Sequence, residues 1–115
     1  MTTDETLTYE ALRYLALGPV ASQRTLAAAL GVSVGKANYV ARALLAKGWV
    51  KLENVSRNPN RLGYLYVLTP RGAAEKARLT TRFLQRKLAE YDALQAEIDA
   101  LAREAGVSDV RTLAR

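Results

Sequence analysis

The sequence predicts a mainly α fold with one small β-hairpin (α+β), and three features of its patterning lead there. Apolar residues recur at helical spacing before Gly18-Pro19, between Ser22 and Gly31, and between Ser33 and Gly48. After Gly48 the period falls to two, over residues 49–55 and again over 64–69. From Thr69-Pro70 the helical period returns and holds as far as Gly106.

Taken in order, a first helix is expected over residues 8–17, with Leu7, Ala11, Leu12 and Leu15 on its inner face and Gly18-Pro19 as its stop. Ser22 is a good N-cap for a short helix over 23–30, whose Leu26, Ala27 and Leu30 share one side. Gly31 ends that helix and Val32 plugs the turn. Ser33 caps the next helix, which runs to about residue 47, where Gly48 suits a left-handed C-terminal turn.

The two period-2 runs make an antiparallel hairpin, since Ser56-Arg57-Asn58-Pro59-Asn60-Arg61-Leu62-Gly63 between them is turn chemistry throughout. Thr69 as N-cap and Pro70 in the first turn open a helix over 70–105. At about 1.5 Å per residue it would be roughly 50 Å long, more than a domain of this size can cover. Ala77, Leu84, Leu88, Tyr91, Leu94, Ile98, Leu101 and Ala105 recur along it, and from Tyr91 the steps alternate strictly between three and four. That is the seam of a helix–helix interface, so Leu84, Leu88, Tyr91, Leu94, Ile98 and Leu101 are expected to pack against a partner. Gly106 ends the helix, and Ser108 is expected to cap a last short turn. The organisation expected is therefore residues 1–69 as one domain, 70–106 as the long helix, and 107–115 as a short tail.

Composition narrows the function classes. With 115 residues, half of them hydrophobic, the chain supports one compact core and hardly two. It has no Cys and no His, which removes disulfides, thiol switches, imidazole metal ligands and the commonest acid–base group. No cofactor is expected. The polar, acidic start Met1-Thr2-Thr3-Asp4-Glu5 is unlike a secretory signal and no apolar run is membrane-length, so a cytoplasmic protein without a membrane partner is expected.

The formal charge of +6 is unevenly spread. Residues 20–87 carry thirteen Lys or Arg against Glu53 and Glu75, a net +11, whereas residues 1–19 and 88–115 come to −2 and −3. A basic centre between acidic flanks is what a polyanion would meet.

The spacing around Gly31 says which polyanion. Two helices crossing steeply need a small residue at the contact, a turn residue free to take positive φ, and apolar plugs. Ala27, Gly31, and then Val32, Ala37 and Val40 fill those places. Helix, helix, helix, strand, basic loop, strand is the order of a winged helix-turn-helix, followed here by a long C-terminal dimerisation helix. With Val34, Ala37, Val40, Ala41, Leu44 and Leu45 facing inward, Ser33, Gly35, Lys36, Asn38, Tyr39 and Arg42 face outward as readers of double-stranded DNA. Tyr39 could equally seal the core beside the hairpin.

In the wing, Arg57, Asn58, Asn60 and Arg61 are the expected backbone or minor-groove contacts, the arginines for function and the asparagines for the turn as well. Ser22, Gln23 and Arg24 offer free N–H groups and a cation to a phosphate, alongside capping by Ser22. Arg71, Lys76, Arg78, Arg82, Arg86 and Lys87 either flank the DNA or simply solvate the helix. Trp49, Tyr64 and Tyr66 read as core and sheet-face residues.

The sequence resembles the MarR family of bacterial winged-helix regulators, and within it a short subgroup associated with exopolysaccharide (EPS) gene clusters. The resemblance lies in Ser22-Gln23-Arg24-Thr25-Leu26-Ala27, Leu30-Gly31-Val32-Ser33-Val34-Gly35-Lys36-Ala37-Asn38-Tyr39 and Ala46-Lys47-Gly48-Trp49-Val50-Lys51. It continues in Leu62-Gly63-Tyr64, Leu68-Thr69-Pro70-Arg71-Gly72 and Glu75-Lys76-Ala77, and covers roughly residues 8–102. It implies a homodimer, a pseudo-palindromic operator and control of nearby genes. Larger members of the family add an N-terminal helix and further C-terminal helices. This chain starts almost at the helix before the motif and ends after one long helix, which argues against a small-molecule effector pocket and leaves dimerisation to the seam. Without cysteine, the oxidation sensing of some relatives is excluded.

Two rival readings fit these residues less well. A winged helix serving as a protein–protein interaction module, without specific DNA binding, would not need the +11 centre or the wing arginines. A nuclease-like enzyme would need clustered carboxylates, and the central domain holds only Glu53 and Glu75, on separate elements. The expectation is a non-enzymatic regulator.

Overall fold

The computed structural model describes residues 3–54 and 64–114. Its elements run α1 (Thr3–Leu17), α2 (Gln23–Leu30), α3 (Val34–Ala46), β1 (Val50–Asn54), β2 (Tyr64–Leu68), α4 (Pro70–Ala105) and a 3-10 turn, Val110–Leu113. The chain divides into two compact units, 1–80 and 81–115. Among the described residues no helix is long and apolar enough to cross a membrane. The mainly α fold with one hairpin and a long last helix is as the patterning predicts.

The core of the first unit is built on Leu12, Leu26 and Leu44, one leucine from each of the first three helices and each fully buried. Full burial of such a side chain stabilises by roughly 1.5–3 kcal/mol. Ala11, Ala27, Ala37 and Ala41 are buried around them, and their small side chains allow close helix contact. Both motif helices start on a serine: Ser22 Oγ accepts from the Thr25 N–H and Ser33 Oγ from the Lys36 N–H, each at 3.1 Å. Both stop alike. Gly31 (φ 67°) lets its own N–H reach Ala28 O and that of Val32 reach Ala27 O; Gly48 (φ 74°) does the same toward Leu45 and Leu44.

Three expectations about the elements change. The first helix begins at Thr3, not at residue 8. Asp4 and Glu5 occupy its first turn, where carboxylates suit the positive end of the helix dipole, and no apolar period announces such a turn. Val34, expected inside, is 46% exposed, because it borders an open groove instead of the packed core. The last short turn is capped by Asp109 rather than Ser108, its carboxylate accepting from the Arg111 N–H.

β1 and β2 pair antiparallel in the register Val50↔Leu68, Leu52↔Tyr66, Asn54↔Tyr64. Val20 adds a one-residue bridge to Tyr66, with N–H to O distances of 3.0 and 2.9 Å in the two directions. A lone bridging residue has no period, so the patterning could not reveal it. At the far end of β2, Thr69 Oγ1 accepts from the Gly72 N–H (3.0 Å) and donates to Gly48 O (2.7 Å), while the Thr69 N–H donates to Trp49 O (3.0 Å).

In the second unit, residues 81–105 of α4 expose Leu84, Leu88, Tyr91, Leu94 and Leu101 by more than half, with Ile98 partly covered. On its polar side, Glu90 pairs with Lys87 (3.2 Å) and Arg86 (3.4 Å).

The start of α4 depends on the absence of a side chain at Gly72, where a Cβ would lie 2.0 Å from Trp49 O. Gly72→Ala is expected to destabilise by roughly 1–3 kcal/mol, the usual cost of overpacking, seen as a lowered urea midpoint. An unchanged midpoint would show that the contact can relax freely.

Candidate nucleic-acid interface

Burial of Ala37, Val40, Ala41 and Leu44 fixes the rotation of α3 about its axis. Gly35, Tyr39 and Arg42 are consequently exposed, with Lys36 and Asn38 half-buried at the edges. Tyr39 is 61% exposed, so it belongs to the outer face and does not seal the core. Lys36 Nζ stands 4.9 Å from the centroid of its ring, a cation–π distance, and 3.5 Å from Asp4 Oδ1. Asn38, Tyr39 and Arg42 line one shallow depression together with Ala43.

A second set of groups adjoins this face. Gln23 Nε2 donates to Asn38 Oδ1 (2.8 Å) and lies 3.3 Å from the Tyr66 hydroxyl, in a partly buried network joining α2, α3 and β2. Ser22, Gln23 and Arg24 then edge a groove of about 540 Å³ shared with Val34, Leu52, Tyr64 and Tyr66. Val34, Leu52 and Tyr64 are each about half exposed, at 46, 48 and 47%. Sequence reasoning missed Val34 and Leu52 here because their apolar character reads as core. What could have found Leu52 is its pairing opposite Tyr66 in the hairpin register.

The expected readers therefore fall into groups. Lys36, Tyr39 and Arg42 offer side chains outward, and Arg24 is exposed at the start of α2. Ser22 and Ser33 spend their hydroxyls as helix caps. Gln23 and Asn38 are engaged with each other, which holds both amides in one orientation. Arg57, Asn58, Asn60 and Arg61 lie outside the described residues.

Several cations of α4 are balanced within the helix. Arg78 pairs with Glu75, whose hydrogen bond and charge raise the guanidinium pKa. The hydrogen bond and charge of Lys87, and then the charge of Arg86, lower that of Glu90. Such i,i+3 and i,i+4 pairs favour the solvating role for Arg78, Arg86 and Lys87.

Among the described residues Gly35 has no packing reason. It is helical, it is exposed, and among the described residues a Cβ there would meet only Ser33 Oγ, at an ordinary 3.9 Å. Glycine costs helix stability relative to alanine, and here the fold gains nothing in exchange.

The fold has clear counterparts among solved structures. The chain superposes on the PcaV transcriptional regulator from Streptomyces coelicolor with 24% identity and a TM-score of 0.62, covering 87% of this chain and 76% of that one. It superposes on wild-type MarR, in its apo form, from E. coli with 23% identity and a TM-score of 0.58, over 85% and 75%. The transcriptional regulator BldR from Sulfolobus solfataricus gives 20%, 0.57, 85% and 73%. At these identities the likeness establishes the fold, which is the winged helix of the MarR type. No family model and no curated protein matches the sequence.

Gly35→Ala is expected to raise stability by roughly 0.4–1 kcal/mol, because the residue is compatible with the new side chain and the unfolded chain loses freedom. A higher urea midpoint with an unchanged slope would register this. A lower midpoint would mean that the fold itself requires the glycine.

Proposed function

We propose that the protein is a sequence-specific, double-stranded DNA-binding transcriptional regulator of the MarR type, working in the cytoplasm as a homodimer on a pseudo-palindromic operator. The observation that carries this reading is the outer face of α3. It presents Lys36, Tyr39 and Arg42 beside a glycine that no contact among the described residues requires, next to the N-terminal end of α2 with Arg24. The residues assigned to DNA contact are Ser22, Gln23, Arg24, Ser33, Gly35, Lys36, Asn38, Tyr39 and Arg42. Arg57, Asn58, Asn60 and Arg61 of the wing complete the set.

In this reading α3 enters the major groove, where Arg and Lys address guanine or phosphate and Asn38, oriented by Gln23, addresses adenine. The segment between β1 and β2 meets the backbone or minor groove. That solved proteins of this fold include transcriptional regulators agrees with it. The seam of Leu84, Leu88, Tyr91, Leu94, Ile98 and Leu101 supports the homodimer, which would set two α3 helices about 34 Å apart in successive grooves. Control of exopolysaccharide genes rests on the resemblance of the sequence to the EPS-associated subgroup.

Selection of duplexes from genomic fragments by the purified protein, followed by sequencing, supplies the specific probe. Lys36→Ala and Arg42→Ala are each expected to lose roughly 1–3 kcal/mol on that probe. Gly35→Ala should bind it more weakly in spite of its higher stability. Arg61→Ala should weaken binding to all sequences alike and reduce the salt slope by about one. If these variants bind like the parent, α3 is not the reading helix. Separately, Leu94→Asp is expected to yield monomers in sedimentation and to lower operator affinity, and an unchanged mass would remove the seam from the interface.

A further inference from the structure

The acidic start of the chain does not stay clear of the basic face. Because α1 begins at Thr3, its first turn carries Asp4 to the edge of α3, where Oδ1 stands 3.5 Å from Lys36 Nζ. The two side chains are 71% and 39% exposed, so the pair is open to solvent and to any ligand of α3. Lys36 is also the lysine held over Tyr39. Its ammonium is thus placed by two contacts, a carboxylate on α1 and an aromatic face on its own helix. The neighbouring carboxylate, Glu5, lines with Asp4 a groove that also holds Lys47, Glu75 and Arg78. Within that groove Arg78 pairs with Glu75, while Asp4 pairs with Lys36.

We infer that Asp4 is an affinity-setting residue: a built-in carboxylate competitor that a DNA phosphate or base edge must displace before Lys36 can engage. The inference rests on the DNA-binding reading given above. Two effects act in the same direction. Lys36 must exchange Asp4 for its nucleic-acid partner, and the carboxylate left behind repels the phosphates that approach α3. An exposed ion pair is weak enough to be exchanged readily, and so tunes binding without abolishing it. The favourable position of Asp4 in the first turn of α1 gives it a stabilising role as well, but that role alone predicts no gain in binding when the charge is removed.

The test uses the full chain and a mixed-sequence genomic duplex, titrated at several salt concentrations. Asp4→Asn is expected to bind roughly 1.5- to 5-fold more tightly than the parent, with a salt slope steeper by up to about 0.9, while its thermal midpoint stays level or falls. Asp4→Glu should keep the parent affinity. In a Lys36→Gln background the gain from Asp4→Asn should shrink markedly, since the competed cation is gone. Parent-like affinity of Asp4→Asn would overturn the inference, as would an undiminished gain in the Lys36→Gln background, which would show general repulsion acting independently of Lys36. A parent protein that fails to bind the duplex would overturn the DNA-binding reading itself, a result distinct from either.

Discussion

A single close approach of backbone to backbone holds the first unit in its form. Trp49 O comes so near to Gly72 that only a hydrogen fits at that Cα. The approach is possible because Gly48 turns the end of α3 sharply, sending the Trp49 N–H to Leu44 O and leaving the Trp49 carbonyl for the Thr69 N–H. Thr69 closes the arrangement through its hydroxyl, which serves Gly72 and Gly48 together. The end of one helix and the start of another thus share their otherwise orphaned polar groups. Glycine in the first turn of a helix carries a propensity cost, and the shared hydrogen bonds offset it. The hairpin is fixed in consequence, and Tyr66 within it can reach Val20 through its backbone and Gln23 through its hydroxyl.

What was legible in the sequence follows from how locally each feature is determined. Caps involve three or four consecutive residues, so Ser22, Ser33, Gly31, Gly48 and Thr69-Pro70 mark helix ends that the structure reproduces. Val34 shows the limit of periodicity. It falls on the same stripe as Ala37, Ala41 and Leu44, yet burial needs close packing as well as a stripe, and Val34 borders an open groove that leaves it 46% exposed. The bridge at Val20 and the start of α1 were hidden for a related reason, since tertiary pairing of one residue and an acidic first turn leave no pattern.

The charge map was informative in sum and misleading in detail. Counting along the chain separates a basic centre from acidic flanks, but folding returns part of the first flank to the centre. Asp4 reaches Lys36, and Glu5 reaches the region of Lys47 and Arg78. Other cations of the centre are matched within α4 by Glu75 and Glu90. Among the cations that keep no described carboxylate partner are Arg24 and Arg42, and Lys36 has only the exposed Asp4. Those three stand on the motif helices, where the Gln23–Asn38–Tyr66 network holds amides in a fixed orientation beside them. Pre-ordering of that kind lowers the entropy cost of recognition, because fewer rotamers are frozen when a ligand arrives.

Part of the polar side of the second unit is satisfied within the helix. Arg86 and Lys87 have Glu90, and Gln95 donates to Asp99, all at spacings of one helical turn. The apolar stripe is left without a counterpart among the described residues, and its steps are uneven. Leu88 to Tyr91 to Leu94 is two steps of three in succession, whereas Tyr91, Leu94, Ile98 and Leu101 alternate three and four. Two short steps together shift a stripe around the helix and strain a continuous supercoil. The proposed dimer contact is therefore tightest from Tyr91 onward, with Ile98, the least exposed of the set, near its middle and Leu84 on its margin. A second copy of the same helix satisfies that requirement without further design, since it carries the same period and the same break.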